Sequence, residues 1–239
     1  MQVSLSIIVP ILNERQLIGA FLEHLLSLTG CENAEIIVVD GGSSDGCRDI
    51  VSQFPVRLIE SARGRSQQMN AGVRHASGKY LLFVHADSRL PADGIQQILG
   101  NLRRARCAGS FRLAFESGNR ALKFFAWFTR FDLSLFRFGD QGLFVSRRLF
   151  NQVGGFDESL SLMEDQDIVR RLRKSAKFKI LPQSIKTSAR KYEAHGVFYT
   201  QLTFTLIVLL YYLGASQNVL TRLYQSAFYV KHNKRHGAH

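Results

Sequence analysis

The run Tyr80-Leu81-Leu82-Phe83-Val84-His85-Ala86-Asp87-Ser88-Arg89-Leu90-Pro91 constrains this chain more than any other stretch. Its first half is continuously apolar and breaks abruptly into polar residues. That is the pattern of a strand buried on both faces, whose carboxyl end delivers side chains to the rim of a parallel sheet. Asp87 then stands at the rim. A carboxylate there suits a hard divalent cation that also touches phosphate oxygens, because such ions prefer oxygen ligands and often take only one or two from the protein. The alternative is a strand end and a turn, with Asp87 capping a helix after Pro91.

The chain before this run repeats the pattern. Leu5 to Val9 reads as a buried strand closed by Pro10. Asn13, with Gln16 reaching back, is expected to cap a helix whose Ile18, Phe21, Leu22, Leu25 and Leu26 share one face and which Gly30 ends. Glu35 to Asp40 is a second buried strand, and Gly41-Gly42-Ser43-Ser44-Asp45-Gly46 a turn-rich loop opening another helix. Strand, helix, strand, helix with short links predicts a right-handed start to a parallel sheet. Val56 to Ile59 is a short third strand. The basic loop from Arg63 then leads into a helix ending near Ser77-Gly78. Guanidinium groups and helix N-terminal amides converging there suit a diphosphate; a solvated loop with two incidental arginines is the alternative.

A dinucleotide-binding domain would carry GxGxxG after its first strand, and here Pro10-Ile11-Leu12-Asn13-Glu14 has no glycine. That argues against nicotinamide and flavin cofactors and the usual methyltransferase layout. With 31 Lys and Arg against 19 Asp and Glu the formal charge is +12, which points to an anionic partner: nucleotide phosphate, an acidic membrane surface or nucleic acid. No zinc-finger, RNA-recognition or helix-turn-helix signature is present, and the aromatics lie in apolar runs, so nucleic acid is not expected. Cys31, Cys47 and Cys107 are scattered and suggest neither a disulfide framework nor structural zinc. With no signal-peptide pattern at the start, the expectation is a cytoplasmic protein.

Ser6-Ile7-Ile8-Val9-Pro10 with Asn13-Glu14, Val38 through Gly46, Arg65 with Asn70-Ala71-Gly72, and His85-Ala86-Asp87 follow the order and spacing of family-2 glycosyltransferases of the GT-A fold. Gly154 through Glu158 and Met163 through Asp167 extend the resemblance, which runs from about Val3 to Leu181. The wording of Leu82 to Pro91, Phe138 to Val145 and Ser188 to Glu193 further resembles the bacterial radical-SAM/selenodomain-associated subgroup, one branch of which is linked to arsenosugar biosynthesis. The implied fold is α/β, a Rossmann-like, mostly parallel central sheet flanked by helices. Residues 1–100 would form the nucleotide-sugar half and 101–193 the acceptor and catalytic half, with 194–239 an apolar helical extension and basic tail.

The resemblance implies metal-dependent, inverting transfer of a sugar from a nucleotide-diphosphate donor to an acceptor hydroxyl, with Mg²⁺ or Mn²⁺ as cofactor. It puts Pro10, Asn13 and Glu14 in the nucleotide-facing first loop and Asp40 against the base, where a carboxylate accepts the imide proton of uracil and so favours a UDP-linked donor. Gly42, Asn70 and Ala86 belong to the same donor motifs, and Arg65 falls near the phosphates. Asp87 matches the last acid of the DxD motif, the metal ligand. His85 stands where the family commonly has an acid, to contact ribose or metal or to fill space. Asp165 matches the general base, although an acid in a first helical turn also suits helix electrostatics. Gln141, Gly155 and Glu164 fall on the acceptor side. Arg190 lies where related synthases carry QxxRW, here followed by Lys191-Tyr192.

Cys107 to Phe115 is expected as a strand, and so is Gly142 to Arg148, with a tight turn at Gly154-Gly155-Phe156. Arg120 to Phe138 reads as a helix apolar on more than one side, carrying Phe124, Phe125, Trp127, Phe128, Phe131, Phe136 and Phe138 among Arg120, Lys123, Arg130 and Arg137. It would pack in the core, form a homodimer or lie in a membrane interface. Ala194 to Thr221 holds no charged residue, yet its most apolar part, Leu202 to Leu213, is short of the ~20 residues of a spanning helix. A lid, a dimer helix or a shallow membrane contact fits it, the last helped by the basic tail from Lys231 to His239. These stretches are compatible with a hydrophobic or lipid-linked acceptor, as with a small soluble one, and with peripheral attachment at the inner face of the cell membrane. The rival readings are a nucleotidyltransferase, which would bring a glycine- and lysine-rich phosphate loop, and a non-enzymatic basic module binding nucleic acid or a membrane surface.

Overall fold

The computed structural model of the protein describes residues 4–102, 107–131, 133 and 139–228. Its first half alternates β1 (Leu5–Ile11), α1 (Arg15–Leu26), β2 (Ala34–Asp40), α2 (Cys47–Val51), β3 (Arg57–Glu60), α3 (Arg65–His75) and β4 (Tyr80–Phe83). The four strands pair in parallel in the order β3-β2-β1-β4. All residues of β1 and β4 are buried because both faces of the sheet are covered. Leu5, Ile7 and Val9 pack against Ile18, Leu22 and Leu25 of α1. Ile8, Leu81 and Phe83 pack on the opposite side against Met69 of α3. This two-sided burial makes the strands read as unbroken apolar runs.

β1 runs one residue past the expected stop at Pro10, which pairs with Val39 while Ile11 pairs with Asp40. The pairing with β4 ends at Ile8–Phe83, so Pro10 lies where one edge of β1 carries no ladder and a missing N–H is tolerated. Asn13 does not cap α1. It takes a left-handed φ of 56°, and the first helical amide, of Arg15, donates to Asp45 in the loop after β2 at 2.8 Å.

The second half contains β5 (Ser88–Arg89), α4 (Gly94–Asn101), β6 (Ala108–Phe115), α5 (Arg120–Trp127), β7 (Leu143–Ser146), α6 (Arg147–Gln152), α7 (Glu164–Ser175), β8 (Phe178–Thr187), α8 (Arg190–His195), α9 (Val197–Tyr212) and α10 (Gln217–Phe228). β7 runs antiparallel between β4 and β6, β8 lies parallel to β6, and β5 closes the edge against β8. β8 has no counterpart among the expected strands. Its Lys179 and Lys186 point to solvent, and a register irregularity between Phe111 and Arg112 of β6 breaks the alternation near Pro182. The helix expected from Arg120 ends at Trp127, followed by a single tight turn over Phe128–Arg130. Phe136, Arg137 and Phe138, like the tail from Lys231 to His239, lie outside the described residues. The fold thus brings the carboxyl ends of β1, β2 and β4 to face the first turn of α7.

Candidate active site

One wall of the candidate site is built from the loops that follow β1, β2 and β4. The first two are laced together: Asn13 N–H donates to Ser43 Oγ, and Asn13 Oδ1 accepts from Ser44 N–H, each at 2.9 Å. Asp40, the last residue of β2, is fully buried, and its carboxylate accepts from Ser43 N–H at 3.0 Å and Ser43 Oγ at 2.5 Å. Gly42 takes a φ of 92° that other residues rarely adopt, which lets the chain turn over Asp40. Beneath, Gln68 Nε2 donates to Ile11 O at 2.7 Å and Val39 O at 2.8 Å, pinning the ends of β1 and β2. Sequence reasoning assigned Gln68 no role. The available signal was an amide on the buried face of a short helix, which must find partners.

Glu14 and Asp87 bring negative charge to one place. Burial first, then Asp87, raises the Glu14 pKa, against the opposing pull of Arg190 and Arg65. The Arg190 guanidinium lies 3.9 Å from Glu14 Oε2, delivered there by β8 and held by Ser188 Oγ at 3.2 Å. Ser188 N–H in turn donates to Asp87 O at 3.1 Å. The neighbouring Lys191 turns away. Its ammonium donates to Tyr224 OH at 2.6 Å and sits over the rings of Phe204, Tyr224 and Phe228. Ala86 is buried in the core below, and Asp87 caps no helix, since α4 starts only at Gly94.

On the opposite wall, α7 begins with Glu164, buried and 3.7 Å from Arg65 Nη1. Asp165 follows. Burial, with Glu164 beside it, pushes its carboxyl up to about 8, while Arg65 and the Gly139 amide pull the other way. Burial and the Arg65 charge hold the His85 imidazole down at about 4, so that it is neutral at neutral pH. Gly139 sits between these two groups: a Cβ there would lie 2.4 Å from Asp165 Oδ2 and 2.7 Å from His85 Nε2. Gly139 and Asp140, whose charge also acts on Asp165, were given no individual role by the sequence. Gln141, in the same turn, is buried.

Asn70 joins the two halves. Its Nδ2 donates to Phe156 O and Glu158 Oε1, each at 2.9 Å, and its Oδ1 accepts from Phe156 N–H at 3.0 Å. A Cβ on Gly155, whose φ is 70°, would come within 2.9 Å of that Oδ1. Beside this junction opens a cleft of about 900 Å³, lined by Arg63, Gln67, Leu160, Leu162, Tyr224 and Gln225. Its far wall is α10, fixed by Gln217 Oε1, which accepts from the amides of Ser161 and Leu162 at 3.1 Å.

The carboxylate oxygens of Asp87 and Glu14, close together with arginines beside them, suit a hard cation completed by phosphate oxygens. Among the described residues no group of three or more His, Cys, Asp or Glu forms a preassembled metal cage.

A mostly parallel, curled α/β sheet with buried and rim carboxylates at its carboxyl edge, faced by an arginine and a second acid pair, defines a GT-A type glycosyltransferase. The family model described as glycosyl transferase family 2 matches residues 6–155, and the chain belongs to that family. It is 30% identical over 174 residues to a PGL/p-HBAD biosynthesis glycosyltransferase of Mycobacterium bovis, covering 68% of this chain and 66% of that protein, just under two thirds of its length. An uncharacterized glycosyltransferase of Haemophilus influenzae is 27% identical over 190 residues, 73% of this chain and 63% of the relative. Among solved structures, a mannosyltransferase from Pyrobaculum calidifontis in complex with GDP-Man and Mn²⁺ superposes with a TM-score of 0.70 at 18% identity, over 94% of this chain and 69% of that one. S. aureus TarS 1-349 in complex with UDP-GlcNAc gives 0.63 at 17% identity, over 92% and 70%. These structural likenesses concern the fold.

Proposed function

We propose that the protein transfers a sugar from a nucleotide-diphosphate sugar, UDP-linked by the position of Asp40, to an acceptor hydroxyl with inversion at the anomeric carbon. The observation that carries this reading is the half-buried Asp165, in the first turn of α7, held in one cluster with Glu164, Arg65 and Gly139. Asp165 takes the proton of the acceptor hydroxyl as its oxygen bonds to the anomeric carbon. The bond from that carbon to the β-phosphate oxygen breaks, and the electron pair leaves with the diphosphate, whose growing charge meets Arg65 and Arg190. Asp87, with Glu14 near it, would hold Mg²⁺ or Mn²⁺, which when bound neutralises charge on the diphosphate. The neutral His85 donates or accepts at the donor sugar or ribose without adding charge. The acceptor approaches from the cleft walled by α10, next to Arg65 and Glu164. The GDP-Man, UDP-GlcNAc and Mn²⁺ of the structural neighbours support a nucleotide-sugar donor and a divalent cation. The subgroup likeness in the sequence supplies no substrate.

Calorimetric titration with UDP, GDP, CDP and dTDP, with and without Mn²⁺, tests the donor site. UDP is expected to bind with Mn²⁺ and to lose at least about tenfold in affinity in Asp87→Ala, because removing a ligand carboxylate leaves the cation to phosphate and water. Equal affinity in mutant and parent would overturn the assignment of Asp87. The pH profile tests the base. Asp165 accepts a proton only when ionised, so kcat/KM is expected to rise with pH along a limb centred near 8. Glu164→Gln removes a neighbouring negative charge, lowers the Asp165 pKa and moves that limb to lower pH; a limb that stays in place would reject the coupling.

A further inference from the structure

We propose that the aromatic face formed by α5 and α9 is a docking surface for an anionic lipid bilayer. Phe124 and Trp127 of α5 stand exposed, as do Phe198, Leu202 and Leu209 along α9 and Leu213 at its end, with exposures of 74% at Phe198, 71% at Leu202 and 83% at Leu213. With Leu206, also exposed, between Leu202 and Leu209, spacings of three and four residues put the α9 members in one stripe, while Thr200, Thr203, Ile207 and Val208 bury the other side of the same helix. The two helices form one surface, because the Phe125 ring meets Phe198 with centroids 6.5 Å apart and also packs on Phe124. An apolar face of this extent on a soluble surface marks a contact site.

Charge selects the occupant. No Asp or Glu occurs from Ser117 to Phe131, nor anywhere after Glu193. Exposed Arg120, Lys123 and Arg130 are interleaved with the α5 rings, and the Arg130 guanidinium lies 4.7 Å from the Trp127 ring centre. Aromatic rings flanked by cations, with a net charge of +12 behind them, match an anionic headgroup layer over acyl chains. A second copy meeting this face about a two-fold axis would bring like charges together. Among the described residues no helix is long and apolar enough to cross a membrane, so α9 lies in the interface and does not span it. The surface also has a fixed relation to α7: Tyr212 OH, at the end of α9, donates at 3.0 Å to Gln166, the residue after Asp165. Docking would therefore fix the orientation of α7, and of the candidate active site, relative to the bilayer. The surface itself rests on its own observations and not on the transferase reading.

Flotation of the full chain with phosphatidylcholine vesicles, with and without phosphatidylglycerol, tests the proposal, read together with the emission of Trp127, the single tryptophan. Binding is expected to the phosphatidylglycerol vesicles, at least about tenfold weaker to phosphatidylcholine alone and weakened by salt. Trp127 emission should shift to the blue and be quenched by brominated acyl chains. The double variant Phe198→Ser/Leu202→Ser, at solvent-exposed positions, should bind at least about tenfold less with unchanged circular dichroism. Absence of flotation with anionic vesicles, or an unshifted Trp127, would overturn the proposal. So would a stable dimer by sedimentation velocity that the same double variant dissolves, since the face would then belong to a second copy.

Discussion

Replacing Asp165 by asparagine is expected to lower the rate of sugar transfer by about 10³-fold, within the range for loss of a positioned base, while nucleotide affinity stays within about twofold. The substitution keeps the shape of the side chain and leaves Arg65, Arg190 and Asp87 in place. It also removes one of two adjacent acids, half-buried beside the buried Glu164, which raises the pKa of Asp165, so the folded state loses a repulsion. The variant should melt no lower than the parent. Single-turnover transfer, nucleotide calorimetry and a melting curve separate the outcomes. A variant that transfers sugar at the parental rate would remove Asp165 from the chemistry. One that is inactive, binds no nucleotide and melts early would assign it a structural role.

Gly109→Ala is expected to cost about 3 kcal/mol or more, which for a chain of this size lowers the melting temperature by roughly 6–12 °C. Gly109 lies in β6 between its partners, opposite Phe144 of β7 and Lys179 of β8. A Cβ there would come within 2.2 Å of the Lys179 carbonyl oxygen and 2.5 Å of the Phe144 ring. The ring is fully buried and the carbonyl belongs to the ladder, so neither can yield cheaply. Gly100→Ala provides the contrast. That glycine is in α4 with nothing within 4 Å of its absent Cβ, and alanine there should be neutral or stabilising by up to about 1 kcal/mol. Calorimetric melting of both variants checks the pair, and equal effects would mean that β6 shifts freely in the sheet.

Much of the first half was legible in the residues because its physics is local. A run such as Ile7-Ile8-Val9 or Leu81-Leu82-Phe83 is apolar on both sides only if both faces are covered, and the polar residue that follows must then lie at the sheet's edge. α7 was legible by a different local signal, since Ile168, Val169 and Leu172 recur at helical spacing after Glu164. Local pattern failed where a partner distant in sequence decides. Asn13 has the composition of a cap, but Asp45, in the loop after β2, takes that place and leaves Asn13 to bind Ser43 and Ser44. β8 carries lysines on its solvent face and a proline near an irregular register, so its pattern gives no strand signal until β6 pairs with it.

By itself, then, the sequence determined the parallel first half of the sheet, the carboxylates at its edge and the family, since each follows from short-range pattern and spacing. Only the tertiary structure decided that Arg65 pairs with Glu164, that Gly139 wedges between His85 and Asp165, and that Arg190 reaches Glu14. It likewise decided that the rings of α5 and α9 form one face. The reason is common to all of them. Which charges share a desolvated space, and where a missing Cβ matters, depends on distances between residues far apart in the chain, and local sequence pattern carries no such distances.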